Sequence, residues 1–500
     1  MDVTIENEQS SARAPWRAPL VFLGWIVLGA FILPKFVIVP TDTLSVHSAV
    51  VDSLLAGQNW GRQALVGSLQ YPLLPTTMLL LARLIASPFG GDGSALLVGL
   101  SQAWVLSYVV RLAREGKGTL LPRTIATVAV FLVFPGVLDC IRLLDPTWAA
   151  AVPLASALYH AYCWHQRQEL RDALVTAISC GLLVFCGLAF AAAAIAILAV
   201  MTRHVPRVSR VQQSEQGGVR TLLWAPLAYC AFLWALWNWL VLGNPFFALR
   251  PVLLSLHACS GTQFSAELAS AFSELGLGLV GGALICGLSI AASARGAGMC
   301  ILMPLLLVSA VRLLCRSAGV HAAGGTLLTA CLGGLAFSFC MQQVWTRDPK
   351  RFATLIAVFV ATILAGRMYP PLDGARDGAF RSNAPEKTEV VELMDRHWPR
   401  ARVLVCGIRA PALFHDPAEK RFLARADFHE ALFLTQAEDE VMHLLVPPDN
   451  GNFYPRSIGH FSRLHGEGKP WLILEKQWSS GWQLWRCVIA PTGESKLDDL

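Results

Sequence analysis

ALVTAISCGLLVFCGLAFAAAAIAILAVMT, residues 173–202, runs without a single charge. A helix crosses a ~30 Å hydrocarbon layer in about 20 residues, so this run is too long for one straight span. Gly187 lies at its middle. The spacing predicts two short spans back to back, broken at that glycine. Other apolar runs of spanning length occupy roughly 18–39, 93–112, 121–138, 146–163, 221–242, 272–293, 297–314, 322–342 and 352–369. The run 72–88 is shorter, opens with Pro72 and Pro75 and contains Arg83.

The composition agrees with this reading. Hydrophobic residues make up 54% of the 500 and charged residues only 15%, against about 25% charge in a soluble chain. Mean hydropathy is +0.50. Such a chain is not a soluble enzyme, a disordered tail or a disulfide scaffold. A formal net charge of +6 over this length does not point to nucleic acid. The thirteen cysteines are scattered, mostly in apolar runs, with no CxxC pair and no zinc spacing. Cys406 and Cys487 alone fall in the polar C-terminal part, where a disulfide between them is one reading. Residues 1–17 form a polar tail with Arg13 and Arg17 and no cleavage pattern, so the first apolar run reads as an anchor.

Basic residues orient the spans. Arg111, Arg114, Lys117 and Arg123 form one cluster; Arg167 and Arg171 a second; Arg203, Arg207, Arg210 and Arg220 a third; Arg347, Lys350 and Arg351 a fourth. Placing all four inside with Arg13 and Arg17 puts 40–71, 139–145, 243–271 and 370–500 outside. This requires 72–88 to be a re-entrant or juxtamembrane helix. The expected fold is an α-helical multi-pass membrane protein of about eleven crossings, with a C-terminal extracytoplasmic α/β domain. Its parts are a cytoplasmic tail over 1–17, a transmembrane domain over 18–369, a linker over 370–385 and the outer domain over 386–500. Within the last part ARVLVCG (401–407), HLLVPP (443–448), PWLILEK (470–476) and WQLWRCVIA (482–490) read as strands, and 386–398 as a helix.

Two outer loops carry the candidate chemistry. In PTDTLSVHSAVVDSLLAGQNWGRQALVGSLQYPLLPT (40–76) Asp42 directly follows the first span, and the apolar positions of 43–56 suit an amphipathic helix on the interface. FPGVLDCIRLLDPTW (134–148) supplies Asp139, Arg142 and Asp145 at the membrane surface. Carboxylates there are costly unless used or paired. Capping of a following helix is the competing account of both Asp42 and Asp145. Convergence of the two loops beside one cavity would favour chemistry.

This order of features resembles the GT-C superfamily of membrane glycosyltransferases, in particular its protein O-mannosyltransferase and lipid A aminoarabinose transferase branch. The residues carrying the resemblance are Asp42 after the first span, Leu54-Leu55-Ala56-Gly57, Tyr71-Pro72, Asp145-Pro146 and WNWLVLGNP (237–245). The resemblance implies a bacterial inner-membrane enzyme that transfers a sugar, with inversion, from a polyprenyl-phosphate donor to a glycan, lipid or protein acceptor on the outer face. An acceptor hydroxyl needs a carboxylate base, for which Asp42 is the candidate. Asp145 would orient the acceptor or bind a divalent metal. Tyr71, with the outer or membrane-level arginines Arg62, Arg83, Arg142 and Arg250, would bind substrate, since a guanidinium fork holds phosphate. Several members carry an acidic-basic pair just before the proline, whereas this chain has Gln70-Tyr71-Pro72. His47 and His257 are loop histidines whose ordinary reading is solvation.

GLGLVG (276–281) lies inside an apolar run and reads as close helix packing, not dinucleotide binding. His160, Cys163 and His165 sit at a cytoplasmic helix end. Trp478, Trp482 and Trp485 read as strand core before sugar stacking. The competing functions are a lipid-linked substrate transporter or flippase and a GT-C-shaped scaffold without catalysis. Matching broken helices in two halves, expected of inverted-repeat transporters, are not visible.

Overall fold

The computed structural model describes residues 23–115, 120–133, 137–208 and 213–246 with brief interruptions, isolated positions between 249 and 338, and parts of 385–488. The first apolar helix, α1 (Leu23–Ile32), packs through Gly29, where a Cβ would come within 2.8 Å of the Leu100 Cα. It leads to the short strand β1 (Val39–Pro40). Then come α2 (Asp42–Leu55), α3 (Asn59–Gly67) and α4 (Leu73–Ala86). Pro75 stands in the first turn of α4, where its missing N–H costs no hydrogen bond. The 14 residues of α4 rise about 21 Å, short of the ~30 Å needed for a straight crossing.

Helix α5 (Gly93–Glu115) begins against α4, and Gly93 is required there. A Cβ would lie 2.6 Å from backbone atoms of Arg83. Next are α6 (Leu120–Val133), the short α7 (Val137–Arg142), strand β2 (Leu143–Leu144) and α8 (Trp148–Arg167). Residues 139–145, expected as a bare loop, thus contain helical and strand segments. The thirty-residue apolar run breaks where expected. Helix α9 (Leu170–Leu183) gives way to a 3-10 turn over Val184–Cys186, Gly187 takes φ 113°, and α10 (Leu188–Val208) follows. Helix α11 (Gln213–Leu242) returns along α9, approaching so closely that a Cβ on Gly181 would sit 2.9 Å from the Pro226 carbonyl oxygen.

The core between α5, α8, α9 and α10 is rich in alanine, including Ala151, Ala155, Ala161, Ala177 and Ala193. Small side chains let helix backbones approach where both lipid and protein are apolar. The outward surface is apolar too: Leu84, Ile178, Ile195, Phe232 and Leu240 are all exposed. Among the described residues α5 and the Gly217–Leu242 part of α11 are long and apolar enough to cross a membrane, and only 11% of that part of α11 is buried. Water would not tolerate such a surface, whereas lipid chains solvate it. Trp237, Trp239 and Phe246 stand exposed around the end of α11, the aromatic placement expected at a membrane interface.

The C-terminal part is a five-stranded sheet of order β4-β3-β5-β7-β6. Its strands are β3 (Arg402–Val405), β4 (Phe422–Ala424), β5 (Met442–Val446), β6 (Leu472–Gln477) and β7 (Gln483–Cys487). β4, β3 and β5 are parallel; β7 and β6 are antiparallel additions. Four of these strands overlap the expected ones, and β4 was not foreseen. Helix α12 (Lys387–His397) contributes Val390 and Met394 to the core with Trp482 and Trp485. These tryptophans are core residues, as expected. Cys487 is buried on β7; Cys406 lies outside the described residues. Edge strand β4 runs against α2.

His443 on β5 is buried, its ring centroid 4.7 Å from that of Trp398 with the two rings tilted by 49°, and it is paired across the ladder with Arg486. Burial, and then the Arg486 charge, lower its pKa from 6.5 to about 4. Between those values the unfolded chain binds the extra proton, so the sheet loses stability as pH falls from about 6.5 towards 4. Faster amide exchange in β5 and β7 at pH 4.5 than at pH 7, corrected for intrinsic rates, is expected, and His443→Phe should flatten that dependence.

Candidate active site

Two residues of strand on each side bring the segments 40–71 and 139–145 together. β1 and β2 pair in parallel, Val39 with Leu143 and Pro40 with Leu144. Neighbouring strands lie about 4.8 Å apart, and parallel strands leave their ladder at the same end. Asp42 opens α2 two residues after Pro40, and Asp145 follows Leu144 directly. The two aspartates therefore start from one end of one ladder, although they belong to loops distant in sequence. The side chain of Asp42 lies outside the described residues.

Asp145 is partly a cap. Its Oδ1 accepts from the Thr147 backbone N–H at 2.9 Å and from the Thr147 hydroxyl at 2.7 Å, ordering the approach to α8. Burial pushes its pKa up, and the two Thr147 donors pull it down. No second partner is recorded for this carboxylate among the described residues, so capping leaves Oδ2 for another donor. Arg142 ends α7 three positions earlier; it is exposed and has no partner among the described residues.

Arg83 is engaged inside the chain. Its Nη1 donates to Asp52 Oδ1 at 2.6 Å and its Nη2 to Ser48 Oγ at 2.5 Å, which clamps α4 to α2. A second link joins the same helices. The Thr76 hydroxyl donates to the Pro72 carbonyl at 2.9 Å, so the contact of 2.7 Å between His47 and Thr76 requires Nδ1–H to donate. Burial lowers the His47 pKa to about 3 and keeps the ring neutral. His47 is thus buried, not solvated as expected. The α3 backbone is tied in as well: Gly61 N–H donates to Ser53 Oγ at 3.0 Å, and Asn238 of α11 donates to the Val66 carbonyl at 3.2 Å. Arg62 is exposed on α3. Tyr71, Arg250 and His257 lie outside the described residues.

Sequence reasoning missed Asp52 as the partner of Arg83. Ser48 and Asp52, four apart on one helix face, were the signal available. Arg83→Met would strand the Asp52 carboxylate, which is only one-third exposed, and should destabilise the protein by about 1–3 kcal/mol. Adding Asp52→Asn should restore part of that loss; thermal unfolding in lipid nanodiscs reads both. Among the described residues no group of three or more His, Cys, Asp or Glu gathers to hold a metal ion.

No protein-family model matches the chain, and no curated protein matches it. Among solved structures it is similar to the crystal structure of ArnT from Cupriavidus metallidurans bound to undecaprenyl phosphate, at 12% identity and TM-score 0.48 over 96% of this chain and 100% of that one. It is similar to the apo-state crystal structure of the same protein at 12% identity and TM-score 0.47, over 95% of this chain and 100% of that one.

Proposed function

We propose that the chain is an inverting membrane glycosyltransferase. It moves a sugar from a polyprenyl-phosphate donor to an acceptor hydroxyl on the outer face of a bacterial inner membrane. The observation that carries this reading is the β1–β2 pairing, which starts Asp42 and Asp145 from the same end of one ladder with Arg142 close by in sequence. The order of sequence motifs supports the donor class. In the reaction the acceptor oxygen attacks the anomeric carbon and Asp42 takes its proton. The bond to the lipid phosphate breaks on the opposite face, and its electron pair leaves with the phosphate. Arg142 stabilises that leaving charge through its guanidinium fork. Asp145 directs the acceptor through its uncapped oxygen while Oδ1 holds Thr147.

Arg83 fits this scheme as the residue that fixes α2, and Asp42 with it, against α4, since its fork is already occupied. The test is product analysis. Reconstituted protein with a polyprenyl-phosphate sugar should release polyprenyl monophosphate and give a glycoside of inverted anomeric configuration by NMR. Retained configuration would overturn the single-displacement mechanism. Turnover without any glycoside, with donor merely moved between leaflets, would favour a flippase.

A further inference from the structure

Helix α7 is only 6 residues long, less than two turns, so most of its carbonyl groups have no partner within the helix. Two of them are met by buried side chains from neighbouring helices. Gln102, in the middle of α5, donates from Nε2 to the Ile141 carbonyl at 2.9 Å. Trp148, the first residue of α8, donates from Nε1 to the Cys140 carbonyl at 3.0 Å. A carbonyl only accepts, so the Gln102 amide orientation follows from this contact. Each residue is 1% exposed.

Gln102 is costly where it stands. It lies inside an apolar helix, and its Oε1 is buried with no hydrogen-bond partner among the described residues. A leucine would avoid that cost, so the donor is what the position retains. What the two donors hold is the end of α7, from which the chain runs through Arg142 into β2 and Asp145. β2 pairs with β1 over only two residues. So short a ladder cannot set its own register, and a slip of one residue would turn its side chains to the other face.

We infer that Gln102 and Trp148 are positioning residues. By gripping the Ile141 and Cys140 carbonyls they set where β2 begins, and so hold Arg142 and Asp145 in register with Asp42. This inference rests on the proposed transferase reaction for its consequence, but the positioning itself can be read without it.

The experiment uses the full chain in proteoliposomes, carrying Val39→Cys and Leu143→Cys so that the disulfide-forming rate across the β1–β2 pair reports register. Mass spectrometry of the cross-linked peptide gives the rate. Gln102→Met keeps length and removes the donor; Trp148→Phe keeps an aromatic ring but removes the pyrrole part of the indole together with its N–H. Each should slow cross-linking by about tenfold, the factor of one ordinary hydrogen bond. Without the added cysteines each should lower kcat for sugar transfer by a similar factor and leave KM for the lipid donor unchanged. Cross-linking at the parent rate in both variants would overturn the inference. Slowed cross-linking in a protein whose parent transfers no sugar would uphold the positioning and overturn the reaction instead. Gln102→Met guards against misfolding, because it nearly conserves side-chain volume, whereas Trp148→Phe adds a cavity cost at a fully buried site.

Discussion

Asp42→Asn is expected to lower kcat for sugar transfer by about 10²–10⁴, the range for losing a general base. KM for the lipid donor should stay within about threefold, because in the proposed reaction the carboxylate acts on the acceptor proton and not on the phosphate. The substitution is nearly isosteric, and the amide oxygen can still cap the first turn of α2. A kcat loss without loss of thermal stability therefore reports the base. Equal losses in both would return Asp42 to the capping account. Asp145→Asn makes an instructive companion. Its amide oxygen can still accept from Thr147, so the start of α8 should survive while the charge disappears.

The second large effect is expected at Arg142. Arg142→Ala should lower kcat by about 10²–10³ by removing charge from the departing phosphate. Arg142→Lys should recover only part of the rate, because an ammonium offers a point charge where the guanidinium offers a planar fork. Since Arg142 is exposed and has no partner among the described residues, little folding energy should be lost. Steady-state kinetics with a lipid-donor titration separates this from weakened binding, which would raise KM with kcat unchanged.

Much of the helical frame was legible because helices write themselves locally. Gly187 marks the break between α9 and α10 by interrupting one apolar run, and the apolar spacing over 43–56 foretold α2. The alternating runs around 402–405, 442–446, 472–477 and 483–487 read as strands for the same reason. What stayed hidden depends on partners remote in sequence. The β1–β2 ladder is two residues long on each side and has no periodicity to read. β4, with the sequence Phe422-Leu423-Ala424 between charged neighbours, is a strand only because β3 pairs with it. The same applies to Arg83. Its place in an apolar helix suggested phosphate binding or snorkelling, and only the packing of α2 on α4 reveals Asp52 and Ser48 as its partners. Of the candidate site, Asp42, Asp145 and Arg142 were visible as residue types; the strand pairing that starts Asp42 and Asp145 from one end of a ladder was not.

The decisive measurement is transfer of radiolabelled sugar from a panel of polyprenyl-phosphate donors in membranes holding the intact chain or its Asp42→Asn variant. Label passing to an acceptor with the intact chain, and falling to background with the variant, is the predicted result. Failure of the intact chain to transfer label from any donor on the panel would contradict the account and leave a membrane scaffold without catalysis in its place.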